Sequence, residues 1–132
     1  MSESDIGFIA DSSAILALLW DEPGADAVAA VIERAALSAV NWSEIAALLV
    51  SRGMPDEQLE TALKALPIAA VVPFDRDQAE AAGRLRRDTR HAGLSLGDRA
   101  CLALAKRCGL PVLTADRIWG SLDLGIDVRL IR

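Results

Sequence analysis

Short apolar runs alternate along this chain with longer stretches whose apolar positions recur every three or four residues. Ile6 to Ala10 reads as a first strand and Ala14 to Trp20 as the helix after it. Asp21-Glu22-Pro23-Gly24 breaks that helix, and Val28, Val31, Ile32 and Ala35 give the next one its stripe. Leu37 to Val40 reads as a second strand. Asn41 and Glu44 then form a capping-box pair at the start of a helix running to about Arg52, with Glu44 facing inward beside Ala47 and Leu48. Gly53-Met54-Pro55-Asp56 turns the chain into a helix from about Glu57 to Leu66, which Pro67 ends. Ala69 to Val72 is a third strand, and Asp75 with Gln78 caps a longer helix.

The stretch from Leu94 to Arg117 is the most informative. Ser95 and Asp98 open a helix as a capping box, Lys106 and Arg107 suit its negative end, and Gly109 with Pro111 stops it. Ala100 to Ala105 are apolar all round, as in a helix buried on most sides. Asp98 shares a stripe with Cys101, Leu102, Ala105 and Cys108, so its carboxylate points inward. Pro111 to Thr114 reads as a buried fourth strand that delivers Asp116 just past its end. Trp119 follows in a short turn as a packing residue, and Val128 to Ile131 closes the chain as a last strand.

Strands alternating with helices predict an α/β fold with a parallel sheet covered by helices on both faces. Residues 1–132 read as a single domain, with no repeat or linker. Ligands in such sheets bind outside the carboxyl ends of the strands. Asp11 follows the first strand, Glu44 lies just beyond the second, and Asp116 follows the fourth. Asp98 starts a helix antiparallel to that strand, which returns it to the same edge. The four acids are therefore expected to converge on one rim.

No apolar run approaches the roughly 20 residues that span a bilayer. The opening MSESDIG carries acids where a signal peptide needs bases, so a soluble, cytoplasmic protein is expected. Cys101 and Cys108 are about 10.5 Å apart along one helix, too far for a disulfide. Nineteen acids against fourteen bases give a net charge of -5, which disfavours a polyanion unless charge is locally reorganised. The one basic patch is Arg84, Arg86, Arg87, Arg90 and His91, placed close together and suited either to solvation or to phosphate.

Each acid taken singly has a capping explanation. Together they do not, because two carboxylates 4 Å apart repel by about 4 kcal/mol at an effective dielectric of 20. A cluster of them takes up protons or a cation. The donors are all oxygen, with Ser12 and Thr114 hydroxyls beside the outer acids, which suits Mg²⁺ or Mn²⁺ better than zinc. Such a site can activate water toward a phosphodiester. One histidine and no tyrosine leave no imidazole pair for metal-free RNA cleavage.

Asp11-Ser12-Ser13, Asn41-Trp42-Ser43-Glu44, LSLGDRACLALA around Asp98, and Leu113-Thr114-Ala115-Asp116-Arg117 resemble the four acidic motifs of PIN-domain ribonucleases, particularly VapC-type toxins of toxin-antitoxin modules. The resemblance runs nearly end to end. It implies a PIN-like three-layer sandwich with strand order 3-2-1-4-5, a Mg²⁺ or Mn²⁺ site, an RNA substrate and an antitoxin that covers the site, with a homodimer or higher assembly. It further implies that Asp11 and Asp98 are principal metal ligands, that Glu44 and Asp116 complete the site, and that Ser12 and Thr114 orient these acids. Many relatives carry a further acid after Asp116, where this chain has Arg117-Ile118-Trp119, so no fifth acidic ligand is implied.

Aspartyl-phosphate phosphatases also place an Asp after the first strand, but need a second acid where this chain has Ser13. A phospho-receiver domain needs paired early acids and a late Lys, and neither is evident. The remaining rival is a non-catalytic PIN-fold module that binds a partner protein or RNA and cleaves nothing.

Overall fold

The computed structural model describes residues 5–132; Met1 to Ser4, on which part of the leader argument rests, lie outside the described residues. The strands β1 (Phe8–Ala10), β2 (Ala35–Ser38), β3 (Ala70–Val72), β4 (Val112–Thr114) and β5 (Val128–Leu130) form one parallel sheet in the order β3-β2-β1-β4-β5. The helices are α1 (Ser12–Leu19), α2 (Ala25–Ala29), α3 (Ala39–Ser51), α4 (Asp56–Ala65), α5 (Arg76–Thr89) and α6 (Leu96–Cys108).

Alternation along the strands explains how both sheet faces are covered. Ile9, Ala36 and Val112 pack with α5, α6 and Trp119. Their neighbours Ala10, Ala35 and Leu37 pack with α1 and α3 on the other face, and Leu113 with α1 and Val28 of α2. Ala100 to Ala105 are all buried, as a helix apolar on every side requires, and Trp119 is buried as the expected packing residue. The Ser95–Asp98 capping box forms in both directions, and Asp75 accepts the Gln78 amide at 2.9 Å.

Four local expectations are corrected. The stripe Val28, Val31, Ile32 and Ala35 is not one helix: α2 ends at Ala29, a 3-10 turn spans Ile32–Arg34, and Ala35 already belongs to β2. The second strand ends at Ser38 because the Ser38 hydroxyl accepts the Val40 amide and caps α3, so Ala39 and Val40 are helical. Asn41 and Glu44 are consequently inside α3 and form no capping box, while Ala47 and Leu48 face outward. Cys108, placed in the inward stripe with Asp98, is exposed at the end of α6; Cys101 is buried, and both are free thiols.

Candidate metal site at the carboxyl edge of the sheet

Asp11 occupies the N-cap position of α1 without making a capping bond. Its side chain turns inward, 4% exposed, and Oδ2 accepts Ser13 Oγ at 2.7 Å and Thr114 Oγ1 at 3.0 Å. The Thr114 bond joins the end of β1 to the end of β4. Thr114 Oγ1 also accepts the Asp116 amide at 3.1 Å, which ties the fourth acid's backbone to the first acid's carboxylate.

Glu44 reaches the site from α3. Oε1 accepts Ser12 Oγ and Asn41 Nδ2, each at 3.0 Å. Asp98 enters from the first turn of α6, where Oδ2 accepts the Ser95 amide at 3.0 Å. Asp116 caps the 3-10 turn Arg117–Ser121, with Oδ1 accepting the Ile118 amide at 3.1 Å. One pattern unites all four acids: donors bind one carboxylate oxygen and leave Asp11 Oδ1, Glu44 Oε2, Asp98 Oδ1 and Asp116 Oδ2 without a donor among the described residues.

The acids act on one another electrostatically. Burial raises the Asp11 carboxyl, the Ser13 and Thr114 hydrogen bonds lower it, and the charges of Asp98 and Glu44 raise it again, leaving it pushed up to about 6. Burial likewise pushes the Cys101 thiol well up, with Asp11, Asp98 and Glu44 adding to the effect. The charges of Asp98 and Glu44 thus act both at Asp11 and at Cys101. Asp116 stands beside them through Thr114 rather than among the charges that act on Asp11.

The donor set suits a hard divalent cation. Mg²⁺ takes one or two carboxylates directly and keeps several waters, so oxygens offered singly from separate elements are the appropriate arrangement. Among the described residues no three Asp, Glu, His or Cys side chains close in as a ready-made cage. Mutual repulsion opposes such closure until a cation offsets it.

The remaining residues fall as follows. Ser12 holds Glu44 and Thr114 holds Asp11, so each hydroxyl serves a different acid from the one adjacent in sequence. Arg84, Arg86, Arg87, Arg90 and His91 are exposed. Arg84 and Arg87 line a cleft of about 500 Å³ with Lys106 and Arg107, between α5 and α6. Arg86 and Arg90 border a smaller cleft at Gly93 and Leu94. Arg84 also lies 3.7 Å from Glu80 in an exposed ion pair.

Ser13 and Asn41 also belong to the site, Ser13 as a donor to Asp11 and Asn41 as a donor to Glu44, roles that motif membership and a capping-box spacing did not assign. The serine after Ser12 resembles any polar first-turn residue, and the signal for Asn41 was an amide three residues before Glu44. Cys101 is silent in sequence because it looks like core.

Residues 8–123 match the PIN domain family. The chain is 34% identical over 114 residues to "Ribonuclease VapC" of Mycolicibacterium smegmatis, covering 80% of this chain and 88% of that protein. Its fold matches the DNA-bound VapBC structure from Salmonella typhimurium with a TM-score of 0.75 and 16% identity, over 96% of this chain and 99% of that one. It also matches a toxin-antitoxin complex from Klebsiella pneumoniae with a TM-score of 0.74 and 21% identity, over 94% and 97%. With the strand order, the acidic edge and the sequence match in agreement, this chain belongs to the PIN domain family.

Proposed function

We propose that the chain is a divalent-metal-dependent endoribonuclease that hydrolyses RNA phosphodiester bonds with Mg²⁺ or Mn²⁺, and that it is the toxin of a toxin-antitoxin pair. The observation that carries this reading is the shared arrangement of the acids, each held through one oxygen and offering the other. The name of the mycobacterial relative supports RNA as the substrate class.

Asp11, Glu44, Asp98 and Asp116 hold the cation in this reading. When bound, the cation supplies Lewis acidity toward the phosphate and acidifies a nearby water. The protein supplies position. Ser13 and Thr114 keep Asp11 facing the site, Ser12 keeps Glu44 there, and the capping box keeps Asp98 at the start of α6. Water adds to phosphorus, the bond to the leaving ribose oxygen breaks, and that oxygen takes up a proton. Arg84, Arg86, Arg87 and Arg90 contact the RNA backbone from two clefts rather than one.

The partner is a cognate antitoxin, in an assembly built on a homodimer or higher. Exposed apolar side chains flank the acidic edge in support of this. Leu48 is one turn beyond Glu44 and 42% exposed, Leu96 is two residues before Asp98 and 51% exposed, and Ile118 is two after Asp116 and 42% exposed. Among the described residues no helix is long and apolar enough to cross a membrane.

The test compares wild type with Asp98→Asn. Mn²⁺ should raise the wild-type melting temperature, because a ligand that binds only the folded state stabilises it. The variant should stay folded, show no Mn²⁺ shift and leave single-stranded RNA intact. Normal cleavage by the variant contradicts the reading, and a folded wild type that cleaves no RNA with Mn²⁺ favours the non-catalytic module.

A further inference from the structure

Asn41 lies in the first turn of α3 with none of its surface exposed. A buried amide is tolerated when its polar atoms find partners. Nδ2 finds two, donating to Glu44 Oε1 and to the Gly97 carbonyl of α6, each at 3.0 Å. Oδ1 finds none among the described residues. An apolar residue of the same shape would avoid the orphaned acceptor, so packing alone does not account for this side chain.

Gly97 is the other half of the arrangement. It sits at the second position of α6, where glycine forgoes helix propensity relative to alanine. A Cβ there would fall inside contact distance of the Glu44 carboxylate. That carboxylate is the flexible end of a long side chain, so a methyl group at residue 97 would displace it rather than break the fold.

We propose that Asn41 and Gly97 are positioning residues for Glu44: the amide ties Oε1 to the first turn of α6, and the bare Cα makes room for the carboxylate beside Asp98. Oε2 is thereby left as the oxygen available to a cation. The assignment rests on the divalent-metal reading above. Residues that orient a metal-binding side chain commonly change affinity by about 10-fold to 100-fold when replaced.

The test measures Mn²⁺ affinity by calorimetry and melting temperature in EDTA for wild type, Asn41→Ala, Gly97→Ala, Glu44→Gln and the Asn41→Ala/Glu44→Gln double variant. Gly97→Ala should melt at or above the wild-type temperature while losing about tenfold or more in Mn²⁺ affinity. A merely structural glycine would move both quantities together. Asn41→Ala should lose affinity by a similar factor, and adding it to Glu44→Gln should cost nothing further, because both act through one carboxylate. Wild-type affinity in Gly97→Ala, or losses that multiply in the double variant, overturns the proposal while leaving the metal reading intact. If Asn41→Ala does not fold, Gly97→Ala decides alone. A wild type that binds no Mn²⁺ overturns both.

Discussion

Thr114 Oγ1 donates to Asp11 Oδ2 at 3.0 Å, across more than a hundred residues of chain. The same hydroxyl accepts the Asp116 amide, so one buried atom sets the spacing between the acid after β1 and the acid after β4. Thr114→Val keeps the shape and removes both bonds, together with the 3.3 Å contact to Ser13 Oγ. We expect a loss of about 1–3 kcal/mol in unfolding free energy, the usual cost of stranding buried polar partners, measured by urea denaturation. RNA cleavage should fall with it. Unchanged stability would mean that water replaces the hydroxyl at no cost.

Asp11 makes the metal-free protein sensitive to pH. Its folded-state carboxyl is pushed up to about 6 from 3.8, so between those values the folded state holds a proton that the unfolded state has released. The stability this group contributes is complete below pH 3.8 and is lost as pH rises through 6. At neutral pH the buried charge costs the metal-free fold up to about 3 kcal/mol. In EDTA, Asp11→Asn should therefore melt above wild type at pH 7.5, with the gap closing toward pH 4. Parallel melting curves across that range contradict the assignment.

The two arginine clefts predict separable effects on RNA binding. Replacing Arg87 by Gln removes a cation from the α5–α6 cleft, whereas replacing Arg86 by Gln removes one beside Gly93 and Leu94. Each residue that contacts a phosphate should lower the slope of log affinity against log salt by about 1, read by fluorescence anisotropy in a catalytically blocked background. A variant with the wild-type slope places its arginine outside the RNA path.

Much of the fold was legible because its signals are local. Ser95 with Asp98 and Asp75 with Gln78 sit three residues apart and form the bonds that spacing predicts. The all-apolar run from Ala100 to Ala105 reported burial directly. Around β2 the local signal misled. Ala35 to Val40 is small and apolar on both sides of Ser38, so hydrophobic periodicity alone does not reveal where strand gives way to helix. Asn41 resembles a cap because it stands three residues before Glu44, yet Ser38 already caps α3, which frees the amide to reach Gly97 fifty-six residues away.

The acids show the same division. Which residues carry carboxylates was plain from sequence, and so was their placement after the strands. Which oxygen Asp11 and Glu44 keep free was not, because Thr114 binds the first and Ser12 the second from distant elements. The arginines were grouped by sequence proximity; residues 84 and 87 line one cleft and residues 86 and 90 another.

A crystal grown with Mn²⁺ and measured at the manganese absorption edge locates the ion without reference to activity. The account predicts one strong anomalous peak at the carboxyl edge of the sheet, bonded to at least two of Asp11 Oδ1, Glu44 Oε2 and Asp98 Oδ1. A fully loaded crystal with no peak there, or with manganese bound only at exposed acids elsewhere, contradicts it.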